Sequence, residues 1–97
     1  MLEIRYHPDT KNEIIHAATR YEADCKGLGL RFLDDLDEAI NDIQRHPEAW
    51  PIIEKDIRRH QFLHFPHSII YRKLSDHIRV LAVMHQHQEP DYWKSRI

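Results

Sequence analysis

Residues 2–7 alternate, with Leu2, Ile4 and Tyr6 on one side and Glu3, Arg5 and His7 on the other. A period of two over this length predicts a strand with one buried face. Pro8-Asp9-Thr10 breaks it, and the period then changes. Ile14, Ala17, Ala18, Tyr21 and Cys25 follow at three- and four-residue spacing, the apolar stripe of an amphipathic helix. Ahead of that stripe, Thr10-Lys11-Asn12-Glu13 reads as a capping box, whose hydroxyl and carboxylate satisfy free backbone donors at the helix start. Lys26-Gly27 ends the helix, glycine being free to take the left-handed conformation. Gly27-Leu28-Gly29 is a link too tight for anything but an antiparallel second helix. That helix places Phe32, Leu33, Leu36, Ala39, Ile40 and Ile43 inward and Asp34, Asp35, Asp37, Glu38 and Asp42 on a solvated face. Arg45 and His46 suit the negative end of the helix dipole, and Pro47 stops the helix.

Pro47 to Pro51, around Trp50, reads as a loop. From Ile57 the composition turns strand-like, over residues 57–63, 67–74 and 77–85, with Leu74-Ser75-Asp76-His77 as the last turn. The final run is apolar on both parities (Ile78, Val80, Ala82 and Met84; Leu81 and Val83), as a strand in the middle of a sheet requires. The order is therefore β-α-α-β-β-β. It predicts one α+β domain over residues 1–97, a helical hairpin packed on one face of a small, four-stranded, mostly antiparallel sheet. A proline-led aromatic tail, Pro90-Asp91-Tyr92-Trp93, follows and pins the end of the hairpin with a large ring.

Charge changes the picture by its distribution. Residues 1–46 carry six Lys/Arg against ten Asp/Glu, whereas residues 47–97 carry eight against six. The net charge of −2 is a poor footprint for binding free nucleic acid, which needs clustered cations facing phosphates. Six of the nine histidines lie in the second half, so that half becomes more basic as pH falls through ~6.5. No run approaches the roughly 20 apolar residues of a membrane span. The alternating start is unlike a signal peptide. The single cysteine, Cys25, cannot form an internal disulfide, which suits a reducing cytosol, and it reads as a small core residue.

Several motifs stand in a particular order. They are Gly27-Leu28-Gly29 with Arg31-Phe32-Leu33, Pro47 with Pro51, Arg58-Arg59, Phe65-Pro66 leading into Ile69-Ile70-Tyr71, and Val83-Met84-His85 followed by Pro90-x-Tyr92-Trp93. Over nearly the whole chain this resembles the RelE/ParE family of bacterial type II toxin–antitoxin toxins, most closely the ParE-like, plasmid-stabilisation branch. Three positions depart from the family pattern. His67 stands where a tyrosine often follows Phe-Pro, Gln88 where an arginine usually precedes the tail proline, and His64 where an arginine is common. The resemblance implies a bacterial cytoplasmic protein that inhibits growth and is held inactive by a cognate antitoxin. The groove beside the helices and the exposed sheet edge are the expected antitoxin surfaces. A homodimer, or a heterotetramer with the antitoxin, would follow from the antitoxin's own dimerisation.

Two mechanisms are open within the family. The gyrase-inhibiting branch buries a complementary surface against DNA gyrase and needs no catalytic set. Its candidate anchors here are Arg58, Arg59, Phe65, Pro66, Tyr92, Trp93 and Arg96, residue types that dominate interface energies. The nuclease members cleave messenger RNA on the ribosome. That chemistry would fall to Arg59 as charge stabiliser, His85 as acid or base and Tyr92 as second proton donor, with Arg58, Arg72 and Lys73 on phosphates. A decayed, non-toxic member that still binds its antitoxin is a third possibility. No cofactor is expected. A metal site is not expected either: His85-x-His87, with His60, His64 and His67 nearby, lacks the Cys-x-x-Cys or His-Glu-x-x-His spacing of a zinc site.

Overall fold

The change from period two to period 3.6 and back produces the element order directly. In the computed structural model, which covers residues 1–97, strand β1 is Glu3–Tyr6, helix α1 Pro8–Asp24 and helix α2 Leu28–Arg45. Strands β2 (Ile52–Glu54), β3 (Ile57–Gln61), β4 (His67–Lys73) and β5 (His77–His85) follow, and a 3₁₀ helix spans Tyr92–Arg96. The sheet order is β1-β5-β4-β3-β2, with β1 parallel to β5 and every other pair antiparallel. The α+β class, the helical hairpin and the central place of the last long strand match the sequence expectation. The sheet has five strands and not four. The extra one, β2, is three residues long, sits at an edge and carries a register shift against β3, so it shows no period. Its turn to β3 passes through Lys55, a non-glycine residue at φ +52°.

The helices cover one face. Phe32, Leu36, Ala39, Ile40 and Ile43 of α2 are buried against Phe62, Ile69, Tyr71, Ile78, Val80 and Val83, and Ile4, Tyr6, Ala17 and Tyr21 pack at the margin. Two glycines set the approach of the helices. Gly27 takes φ +87° at the N-cap of α2, and a Cβ on Gly29 would lie 2.6 Å from the Ala18 carbonyl oxygen. Cys25 is exposed at the C-cap of α1 and not in the core, because α1 has already ended at Asp24. On the opposite face a smaller cluster, Ile57, Ile70, Leu81 and Ala82, lies under Trp93 of the 3₁₀ helix.

The predicted capping box is absent. His7 caps α1, its Nδ1 accepting from the Asp9 amide at 3.1 Å. Thr10 and Glu13 are diverted to β5, and the reason is geometric. β1 pairs with β5 only from Glu3↔His77 to Tyr6↔Val80, so the upper half of that edge would otherwise be orphaned. The Thr10 hydroxyl donates to the Leu81 carbonyl at 2.8 Å, and Glu13 accepts from the Val83 amide at 3.1 Å.

Candidate functional site

Glu13 also organises the chain's end. Its carboxylate accepts from the Tyr92 hydroxyl at 2.6 Å and from both terminal nitrogens of Arg96 at 3.0 and 3.2 Å. Arg96 donates in addition to the Leu81 carbonyl at 3.0 Å, and its guanidinium lies 5.0 Å from the Tyr92 ring centre. Burial, with the neighbouring Glu13 charge adding to it, pushes the Tyr92 phenol far above its ordinary pKa. Trp93 is only 2% exposed, and its indole donates to the Pro90 carbonyl at 2.8 Å. Three of the expected anchors, Tyr92, Trp93 and Arg96, are therefore committed to holding the tail against α1 and β5. Arg58 is committed as well, donating to the carbonyls of Glu48 and Trp50 at 2.9 and 2.8 Å.

What remains accessible from that set is Arg59, Pro66 and part of Phe65. Phe65 belongs to a loop between β3 and β4 that Asp35 holds. This carboxylate, expected on a solvated face, is 5% exposed and accepts from the amides of His64 and Phe65 at 2.8 and 3.2 Å. His64 Nδ1 lies 3.0 Å from its other oxygen. The loop ends are fixed by aromatic packing: Phe62 stacks on Phe32 at 5.4 Å, and Phe65 meets Tyr21 edge-on at 4.9 Å. Between them Leu63 stands 81% exposed, and Pro66, just past Phe65, is exposed as well. Sequence reasoning missed Asp35 because one acid among five on a helix carries no signal of the loop that will reach it.

A cleft of about 710 Å³ opens between α1 and the upper ends of β4 and β5. Four histidines line it, His16, His67, His85 and His87, together with Arg20 and Tyr21. His67 is buried, which drives its pKa down to about 4, with the His85 charge as the lesser cause. Its Nε2 lies 3.0 Å from the Tyr21 hydroxyl, while its Nδ1 is buried without a partner. The neutral tautomer that leaves no buried N–H unpaired carries its proton on Nε2 and donates to Tyr21. His85 Nδ1 accepts from the His87 amide at 3.0 Å, so neutral His85 is also protonated on Nε2. Burial, then the His87 and Arg20 charges, hold its pKa below the ordinary value. Gln88, in place of the family's arginine, accepts from the His85 amide at 2.8 Å and finishes the strand. No three histidine, cysteine or acidic side chains come together to hold a metal ion.

The nuclease candidates do not converge. Arg59 is paired with Ile70 on the face away from the helices, whereas His85 is paired with His67 and opens into the helix-side cleft. Tyr92 spends its hydroxyl on Glu13. Arg72 is held by Asp56 at 2.9 Å and Lys73 by Glu48 at 2.8 Å.

The model of the ParE toxin of the type II toxin–antitoxin system parDE matches residues 4–90. The chain belongs to the ParE toxin family. Both helices and strands β2 to β5 fall within that matched stretch, and the 3₁₀ helix Tyr92–Arg96 follows it. A solved chromosomal ParDE toxin–antitoxin system from P. aeruginosa has the same fold, with a TM-score of 0.63 over 88% of this chain and 96% of that one. The two share 11% sequence identity, so the likeness is one of architecture. No curated protein matches this ParE-family chain. No helix is long and apolar enough to cross a membrane.

Proposed function

We propose that this ParE-family chain arrests growth by binding a protein target, DNA gyrase, and that a cognate antitoxin neutralises it. The observation that carries this reading over RNA cleavage is the division of Arg59 and His85 between opposite faces of one sheet. A phosphodiester held by one would be shielded from the other by the strands themselves. The Nδ1 lone pair of His85 is taken by the His87 amide, which supports the same reading by removing it as a base. Protein binding needs only a preorganised surface, and the Asp35-braced loop, with Leu63 and Pro66 outward and Arg59 exposed nearby in sequence, supplies one. For the antitoxin, strand β2 is an open edge with Ile52 and Ile53 exposed, whereas side chains seal the upper edge of β5.

Inducing the chain alone in bacteria tests this. Chromosomal and plasmid supercoiling is followed beside incorporation of a labelled amino acid over the first minutes. Loss of negative supercoiling with translation intact is the expected result. Early translation arrest with cut transcripts would replace gyrase by the ribosome, and good expression without growth arrest would mark a toxin that has lost its activity.

A further inference from the structure

Three arginines stand side by side across the sheet. Arg72 of β4 is opposite Arg79 of β5, and Arg79 is opposite Arg5 of β1. Residues paired this way project from one face with Cβ atoms about 5 Å apart. Their neighbours fix which face it is. Tyr71, Val80 and Ile78 enter the helix-side core, so the row lies on the other side, where Ile57, opposite Arg72, packs under Trp93. Like charges placed directly opposite destabilise a sheet, and here the arrangement occurs twice in succession.

The compensation inside the chain is incomplete. Arg72 has Asp56 at 2.9 Å and Arg5 has Glu3 at 3.3 Å, but those acids are 51% and 63% exposed and readily exchanged. The middle member, Arg79, makes no side-chain hydrogen bond or ion pair with the rest of the chain. Arg59, diagonal to Arg72 on the same face, has only the Ser68 hydroxyl at 3.1 Å.

We propose that this row binds an acidic peptide segment of a partner protein. Guanidinium forks match carboxylates bidentately, and an extended peptide presents side chains on one side every second residue, about 7 Å apart. Two such carboxylates reach a row spanning about 10 Å. A nucleic-acid strand fits less well, because the acids beside the row (Glu3 and Asp76 at one end, Asp56 at the other) would meet its further phosphates. The inference does not depend on which target the toxin inhibits.

The probe is a fluorescein-labelled peptide with glutamate at alternate positions, its glutamine counterpart as control, and an oligothymidylate of equal charge, read by anisotropy with the full-length protein. The glutamate peptide should bind and the glutamine peptide should not. Arg79→Thr should weaken binding at least tenfold, whereas Arg45→Thr, the same charge change on an exposed helix face, should leave it unaltered. A thermal melt certifies the fold of each variant, and Arg79→Gln serves if the threonine variant is not folded. Absence of binding overturns the proposal, as does equal binding by the Arg79 and Arg45 variants. Tighter, Arg79-dependent binding of the oligothymidylate overturns it in favour of nucleic acid.

Discussion

The two halves of strand β5 share one edge and solve the same problem differently. From His77 to Val80 the edge is closed by backbone, through four consecutive pairings with β1. From Leu81 to His85 it is closed by side chains: Thr10 and Arg96 on the Leu81 carbonyl, Glu13 on the Val83 amide, Gln88 on the His85 amide. The lower half depends on a regular pattern that tolerates exchange of one apolar residue for another. The upper half depends on a few polar atoms, drawn from both ends of the chain. The polar half is therefore the one that single substitutions and pH should disturb.

The largest effect is expected at the residue that holds the tail in place. Trp93→Ala removes the lid from Ile57, Ile70, Leu81 and Ala82 and should cost about 3–5 kcal/mol in urea unfolding. A loss below 1 kcal/mol would mean that the tail closes the upper edge without its ring. Acid comes next. His67 faces His85 at the top of the strand, with a folded pKa of about 4 against an unfolded value of about 6.5. In that window the unfolded chain binds the proton and the folded one does not. Stability is therefore intact above pH ~6.5 and falls by up to about 3 kcal/mol as pH drops to ~4. His67→Phe should flatten this part of the stability–pH curve, and an unchanged slope would place its origin elsewhere.

Glu13→Ala should cost about 2 kcal/mol, since Arg96, Tyr92 and the Val83 amide all lose an ionised acceptor. Hydrogen exchange should quicken at Val83 and leave Ile78 protected; uniform loss would show the two halves to be one unit. Thr10→Val keeps the shape and removes one donor while Arg96 still serves Leu81, so about 1 kcal/mol is expected. Arg59→Ala, outside both halves, should change stability by less than about 0.5 kcal/mol, so a loss of growth inhibition in this variant would report on target binding and not on folding.

The same contrast marks what could be read from residues alone. Alternation in Leu2–His7 and the apolar run Val80–Met84 announced a strand and a central strand, because period and burial are local properties. The stripe of α2 was equally plain. Thr10 and Glu13 were misread because a capping-box spacing and an edge-capping role use identical side chains, and only the shortness of β1 decides between them. Asp35 and Arg96 were likewise unreadable as braces: each acts on backbone far along the chain, 29 residues away at His64 and 15 at Leu81. Strand β2 failed for want of length. The row Arg5–Arg79–Arg72 requires the register of three strands, which no single segment contains.

That first-to-last pairing also dictates when the molecule can exist. β1 leaves the ribosome first, yet its only neighbour in the sheet is the strand translated last. Until His77–Val80 has emerged, Glu3–Tyr6 has nothing to zip against and α1 has no strand to brace. Contacts this distant in sequence form late, so the sheet stays open along this edge until β5 has been made.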